Sequence, residues 1–103
     1  MKTLRSSRDF GRVFAEGHRR RLKGLVVVDS PNGLEGARIG LVVGRSNGSA
    51  VVRNRIKRRL RHAAAKVRFP LGRDYVLVAS REVRTMSFHS LVENLQEAVE
   101  EKE

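Results

Sequence analysis

The chain is 103 residues long and carries a formal net charge of +11 at pH 7, from 22 Lys and Arg against 11 Asp and Glu, with no Cys. That length allows one domain with one core, 1–103, and the missing Cys excludes disulfides and thiolate metal sites, which fits a reducing compartment. No run approaches membrane-spanning length and the N-terminus lacks the apolar stretch of a secretory signal, so a soluble cytoplasmic protein with no membrane partner is expected.

A basic excess of this size is the electrostatic footprint of a nucleic-acid binder. Its distribution is sharper than its total. No acidic residue occurs between Glu35 and Asp74, whereas Glu93, Glu97, Glu100, Glu101 and Glu103 crowd the C-terminus. Most of the positive charge sits on Arg, whose guanidinium forks onto phosphate and stacks on bases, a combination suited to RNA and single strands.

In chain order, Ser6 or Ser7 is placed to cap a short helix running to Glu16, with Gly17 where helices commonly stop. Phe10, Val13 and Phe14 share one face of it. The plain reading of both Phe residues is core; the alternative is base stacking beside a basic surface. After His18-Arg19-Arg20-Arg21, the stretch Leu22 to Val28 reads as a strand, apolar on both sides and therefore covered on both faces. Asp29 to Gly36 is turn chemistry, and Arg38 to Val43 alternates Ile39, Leu41 and Val43 on one face. These two strands are expected to pair as an antiparallel hairpin.

Gly44 to Ser49 leads into the most charged stretch of the chain, Ala50 to Arg61, with Ser49 or a nearby hydroxyl placed to cap it. Val52, Ile56, Leu60, Ala63 and Val67 recur at helical spacing and form the buried stripe. Arg53, Lys57 and Arg61 then form one exposed row, and Arg55, Arg59 and His62 another. Like charges at i, i+4 cost a few tenths of a kcal/mol per pair, roughly 0.2–0.5. A helix that accepts this repeatedly makes more sense as a surface for an anionic partner than as a solvated face. Tyr75 to Ala79 is a further continuous apolar strand, and the strand-helix-strand order allows it to lie parallel to the strand before the basic helix. Ser87 caps a last helix with Phe88, Leu91, Leu95 and Val99 on one face and an acidic, solvated face opposite.

Catalytic groups are thin. His18, His62 and His89 lie far apart without ligand spacing, and Asp9, Glu16, Asp29, Glu35, Asp74 and Glu82 are isolated in sequence. The glycine-containing loop before the basic helix lacks the Gly-Lys-Ser/Thr ending of a nucleotide-binding loop. The residues argue for binding, with chemistry done by the partner.

Ala50-Val51-Val52-Arg53-Asn54-Arg55-Ile56-Lys57-Arg58-Arg59-Leu60-Arg61 resembles the Arg-Asn-Arg signature of the protein subunit of bacterial ribonuclease P, and Asp9-Phe10 with Val13-Phe14 resembles the first-helix pattern of that family. The resemblance covers nearly the whole chain. It implies an α/β fold, an α+β two-layer sandwich in the order α-β-β-β-α-β-α, of a type shared with some ribosomal proteins and with a left-handed crossover at the basic helix. Three of its four strands are legible, and the fourth is expected at Arg19 to Arg21.

The resemblance also implies function. The holoenzyme removes the 5′ leader of precursor tRNA by magnesium-dependent phosphodiester hydrolysis, the RNA subunit being the catalyst, so no catalytic residue and no tightly held metal are expected in the protein, and one protein is expected per RNA. Arg45, Arg53, Asn54, Arg55, Lys57, Arg58 and Arg61 would face the catalytic RNA and the substrate, and Phe10, Phe14, Lys23, Val26 and Val28 would make a cleft for the single-stranded leader. Two departures stand out. Leu25 to Val28 are all aliphatic where the family often has an aromatic, and Arg45 is followed by Ser46 where the family often has adjacent lysines.

Three other readings compete. A ribosomal-type structural RNA-binding protein shares composition and fold but leaves the signature helix unexplained. A helix-turn-helix DNA-binding protein would need a partner helix where strands flank the basic helix. A protein-only nuclease would cut without RNA.

Overall fold

The structure, a computed structural model, describes residues 2–100. Glu101 and Glu103 of the acidic C-terminal group lie outside the described residues. Lys2–Thr3 (β1) is followed by α1 (Ser7–Glu16), β2 (His18–Leu22), β3 (Leu25–Pro31), β4 (Arg38–Val43), α2 (Ala50–Ala64), β5 (Arg73–Ala79) and α3 (Phe88–Val99), with 3-10 turns at Arg45–Asn47 and Arg81–Thr85. This is the expected mixed α/β order with one two-residue strand added in front.

Each α-helix begins where a serine can satisfy a free backbone N–H. Ser6 Oγ accepts from Arg8 N–H at 3.2 Å, Ser49 Oγ from Val52 N–H at 3.3 Å and Ser87 Oγ from Ser90 N–H at 3.0 Å. The stretch read as one strand from Leu22 to Val28 is broken by a tight turn at Lys23-Gly24, where Gly24 has φ +82°. The arginine run before that turn forms β2, longer than the fourth strand expected there.

The five strands lie in the order β1-β4-β5-β3-β2. β4 and β5 are parallel, as the strand-helix-strand reading expected. The β3–β4 hairpin is not formed: β5 lies between them, antiparallel to β3. Asp74 through Leu77 in β5 are buried, so this strand needs a neighbour on each edge. The chain from Asn32 to Ala37 can span ~20 Å, enough to cross the ~10 Å that separates strands two places apart.

Two crossovers join parallel strands. One runs from β1 through α1 to β2, the other from β4 through α2 to β5. Both move in the same direction across the sheet, but α1 packs on one face and α2 on the other. They therefore have opposite hands, and one of them breaks the right-handed rule. The resemblance assigns that exception to the basic helix.

Side-chain alternation divides the core between the faces. Leu25, Val27, Ile39, Val43, Tyr75, Leu77 and Ala79 point to α2 and α3 and pack with Ile56, Leu60, Ala63, Leu91, Leu95 and Val99. Val28 and Val76 point the other way and pack with Leu4 and Val13 beneath α1. Phe10 lies directly on Gly40, where an added Cβ would stand 2.5 Å from the ring.

Candidate nucleic-acid interface

Most of the stripe predicted for α2 is buried: Ile56, Leu60 and Ala63 are core, Val67 is buried just beyond the helix, and Val52 at its start is half-buried against that core. With that face fixed, Asn54, Arg55, Arg58, Arg61 and His62 are exposed, while Arg53 and Lys57 are half-buried at the rim. The Nε of Arg53 is enclosed and has no hydrogen-bond partner among the described residues. Arg45 is exposed in the 3-10 turn that leads into the helix. No acidic residue occurs anywhere in α2 to neutralise this face.

Arg59 departs from the expected exposed row. It is half-buried and donates to Val83 O at 2.8 Å and to Met86 O, so it holds the Arg81–Thr85 turn against the helix. Its repeat position alone gave no sign of this, because the acceptors are backbone carbonyls more than twenty residues away.

On the α1 face the register sets Val26 beside Val78 and Val78 beside Val42. These three half-buried valines form an apolar row at the end of the sheet that α1 does not cover. Phe14 is half-buried beside them, and the Arg19 guanidinium sits 5.6 Å from its ring centroid, within cation–π range. In β2, Arg19 lies opposite Val28 and Arg21 opposite Val26, so both arginines share the face of the row. Arg20 points to the other face and donates to Ala98 O. Sequence reasoning missed Arg19 and Arg21 as cleft residues. Period-two alternation through the arginine run, once recognised as a strand, would have found them.

The predicted cleft residues are thus only partly brought together as surface. Phe14 and Val26 line the open end, and Lys23 is exposed in the turn at its edge. Val28 is a correction: it is 0% exposed beneath α1 and supports the cleft floor without offering surface. Phe10 sits further along α1 and lines a cavity of about 440 Å³ with Leu4, Ile39, Leu41, Lys57 and Arg61. That cavity opens where β1 stops at Thr3 and leaves the outer edge of β4 unpaired from Gly40 onward among the described residues. One aromatic of the α1 set and two cations of the α2 set meet there.

The angle of α1 over the sheet is fixed by a charge cluster that Arg12 joins from the middle of the helix. Asp74 is fully buried and accepts from Arg38 Nε at 2.8 Å, Arg38 Nη2 at 2.7 Å, Asn32 Nδ2 at 2.9 Å and the guanidinium of Arg12. Arg12, on α1, also donates to Ser30 Oγ at 2.9 Å and to Pro31 O at 3.0 Å. Burial works to raise the Asp74 carboxyl, but the bonds from Arg38, Asn32 and Arg12 and the charge of Arg38 outweigh it and hold the group below its ordinary value.

Among the described residues no three His, Asp or Glu side chains converge as a metal-binding group, and no helix is long and apolar enough to cross a membrane. The arrangement offers two adjoining surfaces, a cationic helix face for phosphates and a groove of apolar and arginine side chains for an unpaired strand.

The family model described as Ribonuclease P matches residues 1–103. The ribonuclease P protein component of Lactococcus lactis subsp. cremoris is 37% identical over 94 residues, 90% of this chain and 80% of that protein. The one from Petrotoga mobilis is 40% identical over 82 residues, 78% of this chain and 70% of that protein. Among solved structures, the Thermotoga maritima RNase P protein in complex with 1-(4-fluorophenyl)-2-thiourea superposes with a TM-score of 0.84 at 33% identity, covering 97% of this chain and 99% of that one. The Staphylococcus aureus RNase P protein gives 0.80 at 27% identity, covering 96% and 92%. With sequence, fold and the Arg-Asn-Arg helix in agreement, the chain belongs to the family of ribonuclease P protein components.

Proposed function

We propose that this ribonuclease P subunit is a single RNA-binding domain that holds the catalytic RNA on the outward face of α2 and the 5′ leader of precursor tRNA in the groove beside α1. The observation that carries this reading is the meeting of the two surfaces at the Phe10, Lys57 and Arg61 cavity. An RNA strand leaving the phosphate-binding helix face can enter the groove there without crossing a carboxylate-lined rim, and stacking on Phe14 and Arg19 suits single strands of many sequences.

In this reading the hydrolysis that frees the mature 5′ end is carried out by the RNA, and the protein binds and orients. The magnesium ions it needs sit with RNA phosphates, because α2 presents guanidinium and ammonium groups that repel a divalent cation. Arg45, Asn54, Arg55, Arg58 and Arg61 meet RNA from exposed positions, and Arg53 and Lys57 from the rim of the helix. One copy acts per RNA, in the cytoplasm.

The test is cleavage of a leader-bearing precursor tRNA at low magnesium by the protein alone, by a bacterial ribonuclease P RNA alone, and by both. Efficient cutting by the mixture alone is the expected result. Cutting by the protein alone would overturn the assignment of chemistry to RNA, and no stimulation in the mixture would favour a purely structural RNA-binding role.

A further inference from the structure

The Arg81–Thr85 3-10 turn lies against the flank of α2 that carries Arg55, Arg59 and His62, held there by the two Arg59 bonds to Val83 O and Met86 O. Its other side leans on the Lys23-Gly24 turn. Ser80 N–H donates to Gly24 O at 3.0 Å, and a Cβ on Gly24 would meet Met86 Sδ. The segment is therefore anchored from both sides and presents a fixed outer surface.

A 3-10 helix has three residues per turn, so side chains at i and i+3 eclipse. That period sorts this segment into three ridges. Val83 and Met86 make the buried one, at 1% and 7% exposure. Glu82 and Thr85 make another, with the Thr85 hydroxyl donating to Glu82 O at 3.1 Å. Arg81 and Arg84 make the third, and both are exposed. At ~2.0 Å rise per residue their roots stand about 6 Å apart along the axis, a step comparable to that between successive phosphates of one strand.

We propose that Arg81 and Arg84 form a second docking ridge, which grips consecutive phosphates of the same RNA that α2 holds. This rests on the reading of α2 as an RNA surface and extends it off the signature helix. The occupant is the large catalytic RNA, because Arg59 ties the turn to the helix read as holding that RNA, and Val83 and Met86 are buried in the core on the α2–α3 side of the sheet. Paired guanidiniums fork onto phosphate oxygens, and the neighbouring Glu82 belongs to a different ridge.

The test is equilibrium binding of a bacterial ribonuclease P RNA at a series of salt concentrations. The variant is Arg81→Gln/Arg84→Gln, and the control is Arg5→Gln/Arg8→Gln, which removes the same charge from exposed residues around the start of α1. Each lost phosphate contact makes the slope of log affinity against log salt shallower by about 0.7–0.9, and the loss of two contacts cuts the fall in affinity between 50 and 200 mM salt by about tenfold. That change in the ridge variant, with an unchanged control, is the expected result; single substitutions give half the change in slope. An unchanged slope, or an equal change in the control, overturns the ridge. Arg55→Gln/Arg58→Gln separates the two readings: if it alone weakens binding, only the ridge falls, and if neither variant does, the RNA reading of α2 falls with it.

Discussion

On one face of the sheet, α2 and α3 together seal Leu25, Val27, Leu77 and Ala79 from solvent; on the other, α1 alone covers Val28 and Val76 and stops short of Val26, Val42 and Val78. The strands are the same on both faces, so the difference lies in the cover. Ten residues of α1 span ~15 Å, whereas the seven of β3 span ~23 Å, and one short helix cannot close the face. A sheet face becomes core or binding surface according to how many helices the chain lays on it.

Substitutions can break that contrast. The largest effect belongs to the sealed face: Leu77→Ala removes a fully buried side chain and is expected to cost about 2–5 kcal/mol in urea denaturation. Next comes the anchor of the half-covered face. Asp74→Asn leaves Arg12 and Arg38 without their shared carboxylate and is expected to cost about 2–4 kcal/mol, at or below the range for a broken buried pair because both arginines reach solvent. Its pH signature is specific. The folded Asp74 carboxyl lies below its ordinary value of 3.8, so its stabilisation is fully present above that pH and is lost as pH falls through the folded value. Thermal denaturation from pH 7 downward should show a decline in the parent below about pH 4 that is shallower in Asp74→Asn.

Two smaller changes act on the groove itself. Gly40→Ala places a Cβ against the Phe10 ring and is expected to cost about 1–3 kcal/mol. Because it displaces α1, it should also weaken binding of a single-stranded leader oligonucleotide more than binding of the catalytic RNA. The smallest effect is that of Val78→Ala on the open row, expected at under about 1.5 kcal/mol in stability, with leader affinity reduced and catalytic-RNA affinity unchanged. Equal stability losses for Leu77→Ala and Val78→Ala would erase the contrast between the faces.

Much of this architecture was legible in the sequence where the signal is local. The stripe from Val52 to Leu60 and the caps Ser6, Ser49 and Ser87 follow from helical spacing and from hydroxyls placed before it, and the structure forms all three helices there. Pairing was legible only in part, because it is non-local: the parallel β4–β5 pair follows from the strand-helix-strand order, the separation of β3 from β4 does not. The pattern of β3 and β4 suits a hairpin, and only the burial of β5 on both faces explains why that strand enters between them. Charge masked β2, since an arginine run gives no apolar alternation even when the backbone is extended. Val28 and Arg59 show the same limit for the site: periodicity says which residues share a face, but not that α1 ends over one valine or that two distant carbonyls claim one guanidinium.

The insertion of β5 between β3 and β4 also governs how the chain can fold. The α1 face can begin with the β2–β3 hairpin, whose register is local, but β4 has only the two residues of β1 to pair with until Arg73–Ala79 arrives. Emerging from synthesis, the first seventy residues hold two sheet fragments with exposed edges and no centre, the kind of long-range closure that slows folding and invites wrong pairings. The strand that completes the sheet comes after the basic helix in the chain, so a nascent protein presents its cationic segment before it has a rigid groove to set beside it.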